Sequence, residues 1–231
     1  MIATFQEESV NLTAQRPIVE QKALTMWSLI TSGGTAGTVI IVLLMVLLIL
    51  ALYIYFERLF KIRASSKIDS TFMLQIKDHV TSGRLDAAKM LCAKENSPVA
   101  RLTEKGISRI GSPLEDINSA IENAGKLEVY KLEQNVSVLA TVAGAAPMIG
   151  FLGTVIGMVL AFHTLANSGG QADMGTLAEG IYTAMTTTVA GLIVGIIAYI
   201  GYNHLVVKTD KVVNQMEANA MDFLDLLNEP S

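Results

Sequence analysis

A single cysteine, Cys92, in 231 residues excludes an internal disulfide and any CxxC metal or redox spacing. Charge is scarce as well. Only 16% of residues are Asp, Glu, Lys or Arg, against about 25% in a typical soluble domain. The net charge is −4, with no basic excess to hold a nucleic acid. The motifs GxxxxGK[ST], HExxH and GxGxxG are absent, and no nucleophile–base pair can be drawn, so no enzyme is expected. No cofactor or metal is expected either. The first nineteen residues carry Glu7 and Glu8 and lack the basic start and apolar middle of a cleaved signal peptide. The first apolar run is therefore expected to be retained as an anchor.

What is present is apolar: 51% of the chain, with mean hydropathy +0.45. Residues 23–56, 134–172 and 180–207 contain no charged side chain at all. Each window exceeds the roughly 20 apolar residues that cross a bilayer as a helix. This excludes a soluble globular enzyme and a secreted disulfide scaffold. The fold class expected is an all-α membrane protein. It has three transmembrane helices and a cytoplasmic helical domain formed largely by long extensions of those helices.

Basic residues orient the chain. Arg58, Lys61, Arg63 and Lys67 follow the first crossing, and Lys208 and Lys211 follow the third. The connection after the second crossing has no Lys or Arg. All three agree with a cytoplasmic bias of positive charge. The expected organisation is a periplasmic N-terminus (1–36) and a first crossing running inward (37–56). A cytoplasmic helical domain (57–133) follows, then a second crossing running outward (134–165) and a short periplasmic loop (166–179). A third crossing runs inward (180–204) and leads to a cytoplasmic C-terminal helix (205–231). Within 1–36, residues 24–30 read as an amphipathic helix in the outer interface with Trp27 at headgroup level, or else as an unstructured lead-in. His163 and His204 then fall near opposite membrane faces, and His79 stands alone, so no two share a metal.

Inside 57–133, two short helices are expected, over 85–95 and 98–110. Leu85, Ala88, Leu91 and Cys92 share an apolar face, so Cys92 packs rather than reacts. The run Ser112-Pro113-Leu114-Glu115 reads as a capped helix start. From there only Gly125 and Gly144 interrupt helix formers before Pro147. One helix over 113–165, about 80 Å long, is expected to enter the membrane without a break.

The second and third crossings differ from the first in their small residues. Ala146, Gly150, Gly153, Gly157 and Ala161 form a stripe on one face, and Gly180, Ala184, Thr187, Gly191, Gly195 and Ala198 form another. Such stripes let helix backbones approach in lipid. They pack against each other or against further copies. Thr183, Thr186, Thr187 and Thr188, with Thr154 on the second helix, add hydroxyls at similar depth. Glu179, Thr183 and Thr187 make a polar line one turn apart. Each threonine could bond its own helix carbonyl one turn back; together they could form a shared polar lining. Glu179 is equally readable as an interfacial helix start.

The run Ala146-Pro147-Met148-Ile149-Gly150-Phe151-Leu152-Gly153-Thr154-Val155-Ile156-Gly157-Met158, followed by Gly180-Ile181-Tyr182-Thr183-Ala184-Met185-Thr186-Thr187-Thr188-Val189-Ala190-Gly191, resembles the ExbB/TolQ/MotA proton-channel family. The Gly33-Gly34 start, Glu57-Arg58, and Cys92 with Ser97-Pro98 resemble it too. Three crossings rather than four place the likeness in the ExbB/TolQ branch rather than the flagellar stator branch, with an ExbB-type protein the first choice. The resemblance implies a bacterial inner-membrane homopentamer around two helices of an ExbD-like partner. That partner supplies a proton-carrying aspartate, and proton-motive energy passes to a TonB-like protein. It implies that Thr154 and Thr188 line the pore and that Pro147 bends the second crossing. Many members carry glutamate where this chain has Thr183, and Glu179, one turn outward, is expected to stand in for it in part. A TolQ-type role, a non-conducting scaffold and a self-sufficient channel are the competing readings.

Overall fold

The structure, a computed structural model, describes residues 34–66, 71–167 and 174–228. The expected interfacial helix at 24–30 lies outside them. All seven described elements are helices: α1 (Gly34–Ser65), α2 (Phe72–Thr81), α3 (Leu85–Lys94), α4 (Pro98–Ile107), α5 (Leu114–Glu133), α6 (Val136–Asn167) and α7 (Met174–Asn228). Three helical stretches among them are long and apolar enough to cross a membrane.

Two cores organise the chain. In the apolar half, Ile40, Leu44 and Ala51 of α1 lie against Val142 and Ala146 of α6 and Val194 and Ala198 of α7. The 4-and-7 spacing on α1 is one helix stripe. Its other face exposes Val39, Val46, Ile49 and Tyr53, a surface suited to lipid. In the charged half, Leu205, Val212, Met216 and Phe223 carry the α7 stripe into a second core with Ile62, Ile76, Cys92, Val99, Ile107, Ile117 and Ile121. Gly106 lets Phe223 in: a Cβ there would stand 2.9 Å from Ile121 Cδ1 and closer still to the Phe223 ring.

Three local features differ from the sequence reading. Helix α2, built on buried Phe72 and Ile76, was not expected. The helix start at Ser112 is not capped by a side chain; Pro113 is the N-cap, with φ −52 and ψ 144, and Leu114 is the first helical residue. Ser112 thus sits one position too early for its hydroxyl to reach the first turn. The expected pattern occurs instead at α4, where Ser97 Oγ accepts from Ala100 N at 3.2 Å and Pro98 is the first helical residue. Finally, α5 and α6 are not one helix. The chain breaks at Gln134–Asn135, where Asn135 takes φ 63. Asparagine is the non-glycine residue that best tolerates this left-handed conformation. Pro147, by contrast, is housed inside α6.

Candidate functional site

The small-residue stripes of α6 and α7 meet each other. A Cβ on Gly157 would stand 2.8 Å from Ala184 Cβ, and one on Gly180 would stand 2.8 Å from Ala161 Cβ. At the middle, a Cβ on Gly191 would reach 2.6 Å from Ala146 O and 2.9 Å from Gly150 Cα. Residue numbers in these contacts rise on one helix as they fall on the other, so the pair is antiparallel. The seam is closed at backbone contact, which is how helices associate in lipid without a hydrophobic drive.

Pro147 fits the same seam. It has no N–H, so the Ala143 carbonyl loses its helix donor. Gly195 lies opposite: a Cβ there would meet the Pro147 ring at 2.6 Å and Ala143 O at 3.1 Å. Any side chain at 195 would push the proline-bearing turn away.

The threonines divide among three positions. Thr187 is wholly buried in the seam, under Gly153, with its hydroxyl 2.7 Å from Ala184 O and 3.2 Å from Gly150 O. Thr188 donates across the seam to Gly150 O at 3.1 Å. Thr154 donates back to Phe151 O at 2.6 Å, and Thr186 to Thr183 O at 2.7 Å. Back-bonding to the own helix, the simpler expectation, accounts for Thr154 and Thr186; Thr188 bonds between helices.

Helix geometry then separates them by side. Thr154 follows the seam residue Gly153 by one position, and Thr188 follows Thr187 by one, each about 100° around its helix. In an antiparallel pair, one step forward on both helices leads to the same side. Thr154 and Thr188 therefore share a flank of the seam. Thr183 precedes seam residue Ala184 and lies on the other flank, where its Cγ2 would be 3.2 Å from a Cβ on Gly37 of α1. Glu179, one turn before Thr183 on α7, is exposed on that α1 flank. The structure thus brings Thr154 and Thr188 together, places Thr187 between the helices, and sets Thr183 and Glu179 apart from them. The flank bearing Thr154 and Thr188 also carries a groove of about 510 Å³ lined by Ala143, Pro147, Leu192, Gly195, Ile196 and Tyr199, with no residue from α1.

Beyond the seam, Tyr55 Oη of α1 lies 2.8 Å from His204 Nδ1 of α7. In the charged half, Glu128 is buried and accepts from Arg101 at 2.6 Å and from Lys131 at 2.7 Å. Burial would raise the Glu128 pKa, but the hydrogen bonds from Arg101 and Lys131 outweigh it and hold the carboxyl below its usual value. Sequence reading did not single out this cluster, because Arg101 and Glu128 are 27 residues apart and meet only through the α4–α5 hairpin. Among the described residues, no group of three His, Cys, Asp or Glu side chains could hold a metal.

A model of the MotA/TolQ/ExbB proton channel family matches residues 94–218, more than half of the chain and the whole of the α6–α7 seam. The chain belongs to this family. It is a membrane protein of an inner-membrane family whose members are channel and transport motor subunits rather than enzymes. Among its relatives, a putative biopolymer transport protein ExbB homolog of Methanothermobacter thermautotrophicus is 29% identical over 73% of this chain and 61% of its own. The chain thus spans less than two thirds of that relative. The Tol-Pal system protein TolQ of Pseudomonas aeruginosa is 27% identical over 88% of this chain and 93% of its own. A putative ExbB-like 1 biopolymer transport protein of Synechocystis is 31% identical over 74% and 68%.

Proposed function

We propose that the chain is the channel-forming subunit of an ExbB–ExbD type motor that couples proton-motive force to TonB-dependent transport across the outer membrane. In this reading it forms a homopentamer around two helices of an ExbD-like partner. The N-terminus is periplasmic and the C-terminus cytoplasmic, with 57–133 as the cytoplasmic domain. The observation that carries the reading is the shared flank of Thr154 and Thr188 on the charge-free stretches of two helices, turned away from α1.

The chemistry of that flank suits a partner carboxyl. An ionised aspartate at mid-membrane costs about 2.5–3.5 kcal/mol even on insertion scales. A threonine hydroxyl can donate to the ionised form and accept from the protonated one. Here both hydroxyls already donate to backbone carbonyls. They can accept from a protonated acid as they stand, and must rotate to serve the ionised one. The flank therefore receives the proton-loaded acid at no cost in hydrogen bonds. Glu179 and Thr183 would act, if in the path, from the α1 side.

The test is proton uptake by liposomes holding this chain with an ExbD-like partner. Thr154→Val and Thr188→Val should lower uptake several-fold while the oligomer survives. Unchanged uptake would remove these residues from the path, and uptake without the partner would favour a self-sufficient channel. A TolQ-type role in envelope integrity is the second reading, supported by the near full-length alignment with the Pseudomonas aeruginosa protein. Rescue of a strain lacking one motor subunit, by an ExbD/TonB pair or a TolR/TolA pair, separates the two.

A further inference from the structure

Arg58 is a charged residue at 3% exposure, and it is poorly satisfied. Its Nη1 donates to Lys131 O at 3.3 Å, its Nη2 is 3.9 Å from Glu57 Oε1, and its Nε is buried with no hydrogen-bond partner among the described residues. Arg101 Nε is buried and unpartnered in the same way. Both arginines line one cavity of about 260 Å³, together with Lys61, Lys131, Asn96 and Glu128. Four cations therefore face one buried carboxylate across this space. Lys61 is tied to Glu57 at 2.6 Å, and Glu128 takes the terminal nitrogens of Arg101 and Lys131. Arg101 Nη1 donates to Asn96 Oδ1 at 3.1 Å, so the cavity keeps a net positive charge, with both guanidinium Nε–H groups buried unpaired in its wall. A buried, incompletely bonded guanidinium is costly, and an anion in the cavity would remove that cost.

The depth of the cavity says which anion. Arg58 stands two residues past the charge-free run that ends at Phe56, and Lys131 stands three before the run that begins at Gln134. The cavity thus lies where two membrane helices leave the apolar layer, at the level of phospholipid headgroups. Guanidinium forks match phosphate oxygens, and basic pockets at helix ends hold acidic headgroups.

We propose that the Arg58–Arg101 cavity binds a single phosphate group, supplied by an anionic phospholipid of the surrounding leaflet. The site links α1, α4 and α5, so an occupied cavity ties the first crossing to the charged domain.

The experiment is native mass spectrometry of the full-length protein in detergent, after incubation with phosphatidylglycerol, with phosphatidylcholine, or with phosphatidylglycerol plus excess inorganic phosphate. Phosphatidylglycerol should be retained about tenfold more than phosphatidylcholine. Arg58→Gln should abolish that preference, and Lys61→Gln, which removes one positive charge from the cavity lining, should reduce it several-fold. Lys61 is solvent-exposed, so its variant decides the matter should Arg58→Gln fail to fold. Equal retention of the two lipids, or a full preference in Lys61→Gln, overturns the site. Displacement of the lipid by inorganic phosphate overturns the lipid source and assigns the cavity to a free anion.

Discussion

Thr187 occupies the space that a side chain on Gly153 would need: its Cβ lies 2.7 Å from where a Cβ at 153 would stand. The α6–α7 seam is therefore closed at this level by a hydroxyl residue that is not available to a pore. Gly153→Ala should force the helices apart and cost about 1–3 kcal/mol, as overpacking does. Gly144→Ala, on the same helix with nothing within 4 Å of the added carbon, should be neutral. Thermal denaturation of the detergent-solubilised protein compares the two. Equal melting temperatures would show that the seam is looser than described.

Thr188→Ala removes a bond between helices, whereas Thr154→Ala removes one within α6. The first should lower stability by about 0.5–1.5 kcal/mol, and the second by less. Both should impair proton-driven work with the oligomer intact on size-exclusion chromatography. Loss of the oligomer in both variants would assign them to packing alone.

Glu179→Gln should reduce proton-driven work if Glu179 supplies the carboxylate that Thr183 lacks. Its place on the α1 flank makes this a separate question from Thr154 and Thr188. Work at the unaltered rate takes Glu179 out of the path.

Glu128 gives a pH dependence. Its folded-state pKa is lowered, so its contribution is fully present above the unfolded value of about 4.5 and fades as pH falls below it. Glu128→Gln should destabilise the protein at neutral pH by about 1–2 kcal/mol, a modest figure because Arg101 and Lys131 both reach solvent. The variant should also show a flatter loss of stability between pH 5 and pH 3. Chemical denaturation across that range provides the check; a parallel loss in both proteins would mean Glu128 is not the titrating group.

Cys92 should be inert while the protein is folded. Burial pushes its thiol up to about 12, and the nearby Glu104 charge adds to this. Maleimide labelling at pH 8 should be slow in the native protein and rapid after unfolding. Fast native labelling would mean that the α3 core opens.

Much of this was legible in the sequence, and the misses have physical causes. Long charge-free runs mark three apolar helices because a single continuous run can satisfy its own backbone hydrogen bonds in lipid only as a helix. Gly150, Gly153, Gly157 and Gly191 mark the seam because only close backbones need such a stripe. The break at Asn135 was not legible, since neither proline nor glycine flags it and the residue before it is an ordinary helix former. Pro147 sits within the continuous α6, and Gly195 on the opposite helix makes room for its ring. Which threonines share a side depends on the helices being antiparallel and on where α1 lies, and neither follows from spacing on one helix.

Helix α7 runs from Met174 to Asn228 as one unbroken rod. From Thr188 to Phe223 it extends about 52 Å. Without a hinge, a tilt of about 5° at Thr188 would sweep Phe223 through about 5 Å at that rise per residue. Phe223 is seated over Gly106 with no slack to absorb such a sweep. A proton event at the membrane flank would thus be geared up by this lever arm, and the α4–α5 hairpin would have to travel with it.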